Sequence, residues 1–75
     1  MVIASFQGQG CWERHSNGEE LVQILEGETE LGLMADEGPE NMTVTKDQML
    51  VVPTGIWHRF TAPTGMTLMA ATPQL

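Results

Sequence analysis

"GEELVQILEGETELGLM", Gly18 to Met34, can be read two ways, and the fold turns on the choice. Leu21, Ile24, Leu25 and Leu31 fall at partly helical spacing, as on one face of an amphipathic helix. Gly27 and Gly32 would interrupt that helix at a cost of about 1 kcal/mol each relative to alanine, and "EGETEL" alternates with the period of a strand. Two strands, Glu20 to Leu25 and Glu28 to Met34, are the better reading.

Outward from this segment the same pattern repeats. Further β-friendly runs are "VIASFQ" (Val2 to Gln7), "CWERH" (Cys11 to His15), "MTVT" (Met42 to Thr45), "MLVV" (Met49 to Val52), "WHRFT" (Trp57 to Thr61) and "MTLMAAT" (Met66 to Thr72), up to eight in all. The intervals "GQG", "SNG", "EG", "DEGPEN", "KDQ", "PTG" and "APTG" are rich in Gly, Pro, Asn and Asp, which supply chain reversals. Short strands with short connections imply an all-β antiparallel barrel or sandwich, read as one domain over residues 1–75. "DEGPEN" is the one long charged turn and the expected mobile loop.

A chain of 75 residues is marginal as a monomer, because a core of this size rarely supplies more than ~3–5 kcal/mol. Cys11 is the only cysteine, so an intramolecular disulfide is excluded and a metal or a partner subunit is expected to help. "ELVQIL" and "MLVV" are apolar on both faces, and a second copy is the natural cover for the outer one, so a homodimer is expected. Trp12 and Trp57, with outward parity, read as anchors of that interface, and the six methionines as filling for a core or pocket.

Ten acidic residues against Arg14, Lys46 and Arg59 give a net charge of −7, which repels phosphate backbones and anionic membrane surfaces. Nucleic acid and membrane are therefore not expected partners. "MVIASFQGQG" has no basic start and no long apolar core, so no signal peptide is expected, and no apolar run approaches the ~20 residues of a membrane span. Together with the single free thiol this points to the cytoplasm.

Alternation also places the chemistry. In "CWERH" it sends Cys11, Glu13 and His15 to one face and Trp12 and Arg14 to the other. His58 shares a face with Ile56 and Phe60, and Glu20 with Val22 and Ile24, so both histidines and Glu20 are expected inside. Carboxylates buried beside imidazoles ask for a compensating charge. A divalent ion fits, since nitrogen and oxygen ligands suit zinc, iron, manganese or nickel. Histidines that merely hydrogen-bond in a metal-free organic pocket, and a Glu13 left at the solvated rim, are the plainer readings of the same residues. Cys11 reads as a small apolar residue, and without a tyrosine or a serine triad nucleophilic catalysis is not indicated.

"HSNGEELVQILEG" followed by "PTGIWHRF" resembles the two halves of the cupin signature. His15, Glu20 and Gly27 match the first half, and Pro53, Gly55 and His58 the second, about thirty residues on. The resemblance covers Trp12 to Pro73 and implies a small jelly-roll barrel with His15, Glu20 and His58 as metal ligands. It departs at Glu13, where the family has its first histidine, at Asp47 in place of a glycine, and at Ala62 in place of an asparagine. Glu13 is then the expected fourth ligand or general base. Two functions stay open: a metal-dependent enzyme acting on a small molecule, and a ligand-binding or sensing module, with or without metal, that does no chemistry.

Overall fold

The computed structural model describes residues 1–16 and 18–71. Five strands make one antiparallel sheet system: β1 (Val2–Gln9), β2 (Glu20–Ala35), β3 (Gly38–Thr45), β4 (Met49–Val52) and β5 (His58–Ala71). The sheet order is β1-β5-β2-β3, with β4 also paired to β2. The described residues contain no helix, and so none long and apolar enough to cross a membrane.

β2 organises the rest. Its first residues pair with β4, Glu20 opposite Val52, and its later ones with β3, Glu28 opposite Thr45, while β5 runs along its other edge. The turn between β3 and β4 docks on the middle of β2, where Ile24 donates to the Gln48 carbonyl and Asp47 donates back to that of Ile24. Asp47 adopts φ 72°, the left-handed conformation that a glycine takes without strain.

The eight expected runs merge into these five strands. "EG" at Glu26 and Gly27 is a pair of register shifts inside β2, not a reversal, and "APTG" is likewise absorbed into β5. Gly27 at φ 75° and Gly65 at φ 91° lie against each other where the two long strands cross this irregularity. A glycine with positive φ serves a bulge as well as a turn, and a bulge bends a strand without ending it. "CWERH" forms no strand, and its one ladder contact is an isolated bridge between Glu13 and His58. "DEGPEN" is not a long loop: β2 and β3 form a hairpin with Ala35 opposite Gly38, and only Asp36 and Glu37 lie between them. Thr72, the expected end of the last run, lies outside the described residues.

Val22, Ile24, Leu31, Val44, Val52, Ala62 and Met66 form the buried core, with Phe6, Leu33, Leu50, Phe60, Leu68 and Ala70 packed around it. Of the methionines only Met66 belongs to it; Met1, Met34, Met42 and Met49 are exposed. The inner sides of Val2, Ala4, Phe6, Phe60, Leu68 and Ala70 bound a cavity of about 380 Å³. The outer face of the sheet carries exposed Ile3 on β1, Leu21 on β2, and Met49 and Val51 on β4.

Candidate metal centre

Three pieces of chain converge beside the cavity. β2 starts at Glu20, β5 starts at His58, and the irregular stretch between β1 and β2 carries Glu13 and His15. Two reciprocal backbone hydrogen bonds, both 2.8 Å, join Glu13 and His58. The Gly55 amide donates to the His15 carbonyl at 2.8 Å, so the glycine of "PTGIW" ties the two sequence motifs together directly. Gly55 has φ 76°, which explains why that turn carries a glycine.

The outer side of the Glu13–His58 bridge is held by two cation–π contacts. Arg59 lies 4.7 Å from the ring centre of Trp12, and Arg14 lies 5.0 Å from that of Trp57. Trp12 also crosses Gly32, where a Cβ would meet its ring at 3.4 Å. The tryptophans thus spend their outward faces on this chain's own arginines.

On the inner side three of the expected groups meet, and the fourth, Glu20, touches two of them. Donor atoms of Glu13, His15 and His58 all lie within 4.8 Å of one another. The Glu20 carboxylate approaches both rings, His15 Nε2 at 3.1 Å and His58 Nε2 at 3.4 Å. His58 is 1% exposed and Glu20 8%. The His15 side chain is 33% exposed, so this histidine is not buried as expected, and Glu13 is exposed. Both depart from the expected strand for the same reason: the chain follows the edge of β5 only at Gly10 and Glu13, and so brings these groups to the exposed end of the cavity.

Contact with the His58 ring, before all else, holds the Glu20 carboxyl below its ordinary value of 4.5, with the charge of His15 adding to it against the opposing effect of burial. The same contact raises His58 above 6.5, again against burial. Yet Nε2 of each histidine is buried without a well-directed hydrogen bond. Close approach without directed bonding is an electrostatic contact, and it leaves both Nε2 atoms near the same carboxylate. His58 Nδ1 lies 3.2 Å from the Ile56 carbonyl, which can only accept, so Nδ1 carries the proton and Nε2 holds the free lone pair when the ring is neutral. Two imidazole nitrogens and two carboxylates, with the buried nitrogens unpartnered, fit a divalent ion of the zinc, iron, manganese or nickel kind. Cys11, in phase with Glu13 and His15, is exposed and lines the cavity beside them.

A barrel-like sheet with these groups at its mouth invites comparison with known families, and the family model described as the Cupin domain matches residues 2–71. This chain belongs to the cupin family. Solved structures agree on the fold. A cupin-2 domain containing protein from Shewanella frigidimarina superposes with TM-score 0.84 at 24% identity, covering 96% of this chain and 67% of that one. Hydroxypropylphosphonic acid epoxidase from S. wedmorenis, in complex with fosfomycin, gives 0.77 at 20%, covering 91% of this cupin and 40% of the epoxidase. The Drosophila melanogaster CENP-C cupin domain gives 0.79 at 12%, covering 91% and 56%. This cupin therefore spans from 40% to 67% of those chains. A comparison with curated proteins found no match.

Of the residues named from the sequence, the structure gathers Glu13, His15 and His58 and sets Glu20 against both histidines. Sequence reasoning missed the arginine–tryptophan pairs, whose signal is the alternation in "WERH" set against "WHRF": once Glu13 faces His58, each arginine must face a tryptophan.

Proposed function

We propose that this cupin domain binds a divalent transition metal through His15, Glu20 and His58, with Glu13 as fourth ligand or general base, and takes a small molecule into the adjoining cavity. The observation that carries the proposal is the convergence of two buried, unpartnered Nε2 atoms on one carboxylate. A bound ion of this class supplies Lewis acidity, and in the case of iron or manganese redox chemistry. Glu20 would neutralise charge deep in the site, His58 would donate from a tautomer fixed by Ile56, and Glu13 at the exposed rim would exchange protons with solvent. The epoxidase among the structural neighbours is described with Fe(II) and with CoII, which supports a redox-capable metal here.

The test is elemental analysis of protein purified without tag or chelator, beside Glu20→Ala and His58→Ala. Near-stoichiometric metal in the wild type, lost in both variants, is the expected result. Absence of metal after reconstitution with iron, zinc, manganese and nickel would instead establish a metal-free ligand-binding cupin. Turnover in a substrate screen that disappears in His58→Ala would make it an enzyme.

Exposed Ile3, Leu21, Met49 and Val51 support a homodimer through the outer face, and a monomeric mass in light scattering would refute it. The cytoplasm is the proposed setting, on the single free cysteine.

A further inference from the structure

The three cationic side chains of this cupin are all engaged away from its cavity. Arg14 and Arg59 lie over Trp57 and Trp12 on the outer side of the Glu13–His58 bridge, and Lys46 sits at the surface 3.8 Å from Glu26. The chain has no other Lys or Arg. The cavity wall is instead made of apolar groups, among them Val2, Phe6, Phe60, Met66 and Leu68, and its polar end holds Glu13, His15 and Glu20. Two carboxylates face that space, and a divalent ion between them brings the site to neutrality and no further.

We infer that the cavity selects neutral, largely apolar molecules bearing one oxygen or nitrogen donor, and discriminates against carboxylates, phosphates and phosphonates. The physical reason is desolvation. An anion entering this space gives up its hydration, meets no lysine or arginine side chain, and adds negative charge next to Glu13 and Glu20. A neutral molecule gives up little, because apolar area accounts for most of what it presents and most of what the wall offers. At about 380 Å³ the cavity lies at the small end of the ~300–1,000 Å³ range of small-molecule sites, enough for one ring and a short substituent. The donor atom goes to the polar end and the ring to Phe6, Phe60 and Leu68.

This inference deepens the proposed function but does not depend on the metal, since the walls and the missing cations are the same in either state. The probes are benzyl alcohol, benzoate and phenylphosphonate, three single-ring molecules that differ in the charge of the polar group. They are titrated into the full chain, metal-free and zinc-loaded, with amide shifts followed by two-dimensional NMR and zinc content checked by elemental analysis. Benzyl alcohol should move the amides of Phe6, Phe60 and Leu68 with a Kd at least tenfold below that of either anion in the metal-free protein, and the order should persist with zinc. Equal or tighter binding of benzoate or phenylphosphonate in either state, or no binding of benzyl alcohol up to its solubility, overturns the inference. Failure of the protein to take up zinc while the order of probes holds would sink the metal reading and leave the selectivity standing. Zinc bound with the anions preferred would do the reverse.

Discussion

Gly27→Ala tests whether the bulge at the centre of β2 is a structural necessity. Two effects oppose the substitution. At φ 75° an alanine adopts the left-handed conformation at about 1–2 kcal/mol. Its Cβ would also fall inside contact distance of the Gly65 carbonyl oxygen and lie 3.1 Å from the Met66 Cα. Those neighbours are backbone atoms of β5 and cannot rotate away, so an overpacking cost of about 1–3 kcal/mol applies. The lower chain entropy of alanine in the unfolded state returns about 0.5–1 kcal/mol. The net loss is about 2–4 kcal/mol, a large share of the roughly 4–11 kcal/mol available to a domain of this length. Gly55→Ala is the matched control, with φ 76° and nothing within 4 Å of the added carbon, so it carries the conformational cost alone. At ~4–8 °C per kcal/mol for a domain of this size, the two variants should melt at least about 5 °C apart in circular dichroism. Equal melting temperatures would mean that β5 yields to the added carbon, and the necessity of the bulge would fall with them.

Asp47 offers the opposite experiment. Asp47→Gly removes left-handed strain from the turn that docks on Ile24 and should raise stability by up to about 1 kcal/mol in chemical denaturation; a loss of stability would show that the aspartate side chain holds the turn. Proton linkage sets a pH window for the metal-free protein. Glu20 is lowered, so its contribution is complete above 4.5 and fades as pH falls through its folded value; His58 is raised, so its contribution is complete below 6.5 and fades as pH rises through its folded value. Stability of the metal-free form should therefore peak between those values, at pH 5–6, and the peak should vanish in Glu20→Gln; a wild-type profile that keeps rising to pH 8 contradicts the assignment. The Trp12–Arg59 contact should show a coupling of about 0.5–1 kcal/mol in a double-mutant cycle with alanine at each position, and a value under about 0.3 kcal/mol would mean that the two merely coexist.

Local alternation made much of this molecule legible. Period two placed Glu20, Val22 and Ile24 on one face and His58 with Phe60 on the same interior, and all of them are where that parity puts them. It also put Glu13 and His15 toward the site, although their segment is not a strand. What failed was the reading of glycine. Gly27 and Gly65 satisfy the local demand for positive φ equally well in a reversal and in a bulge, and the choice belongs to the partner strand, which lies some forty residues away in the chain. For the same reason five strands look like eight runs when each run is judged alone. The partial exposure of His15 was equally out of reach, because it depends on where the edge of β5 leads the chain after Gly10.

β1 joins the described sheet along one edge only, through β5, yet Val2, Ala4 and Phe6 on this strand form a wall of the cavity. A strand with one paired edge opens at a lower free energy than the centre of a sheet, so its outer amides should exchange with solvent long before those of β2. Loosening of β1 would therefore widen the cavity on that side, and slower exchange of the β1 amides when a molecule occupies the cavity would show the two to be linked.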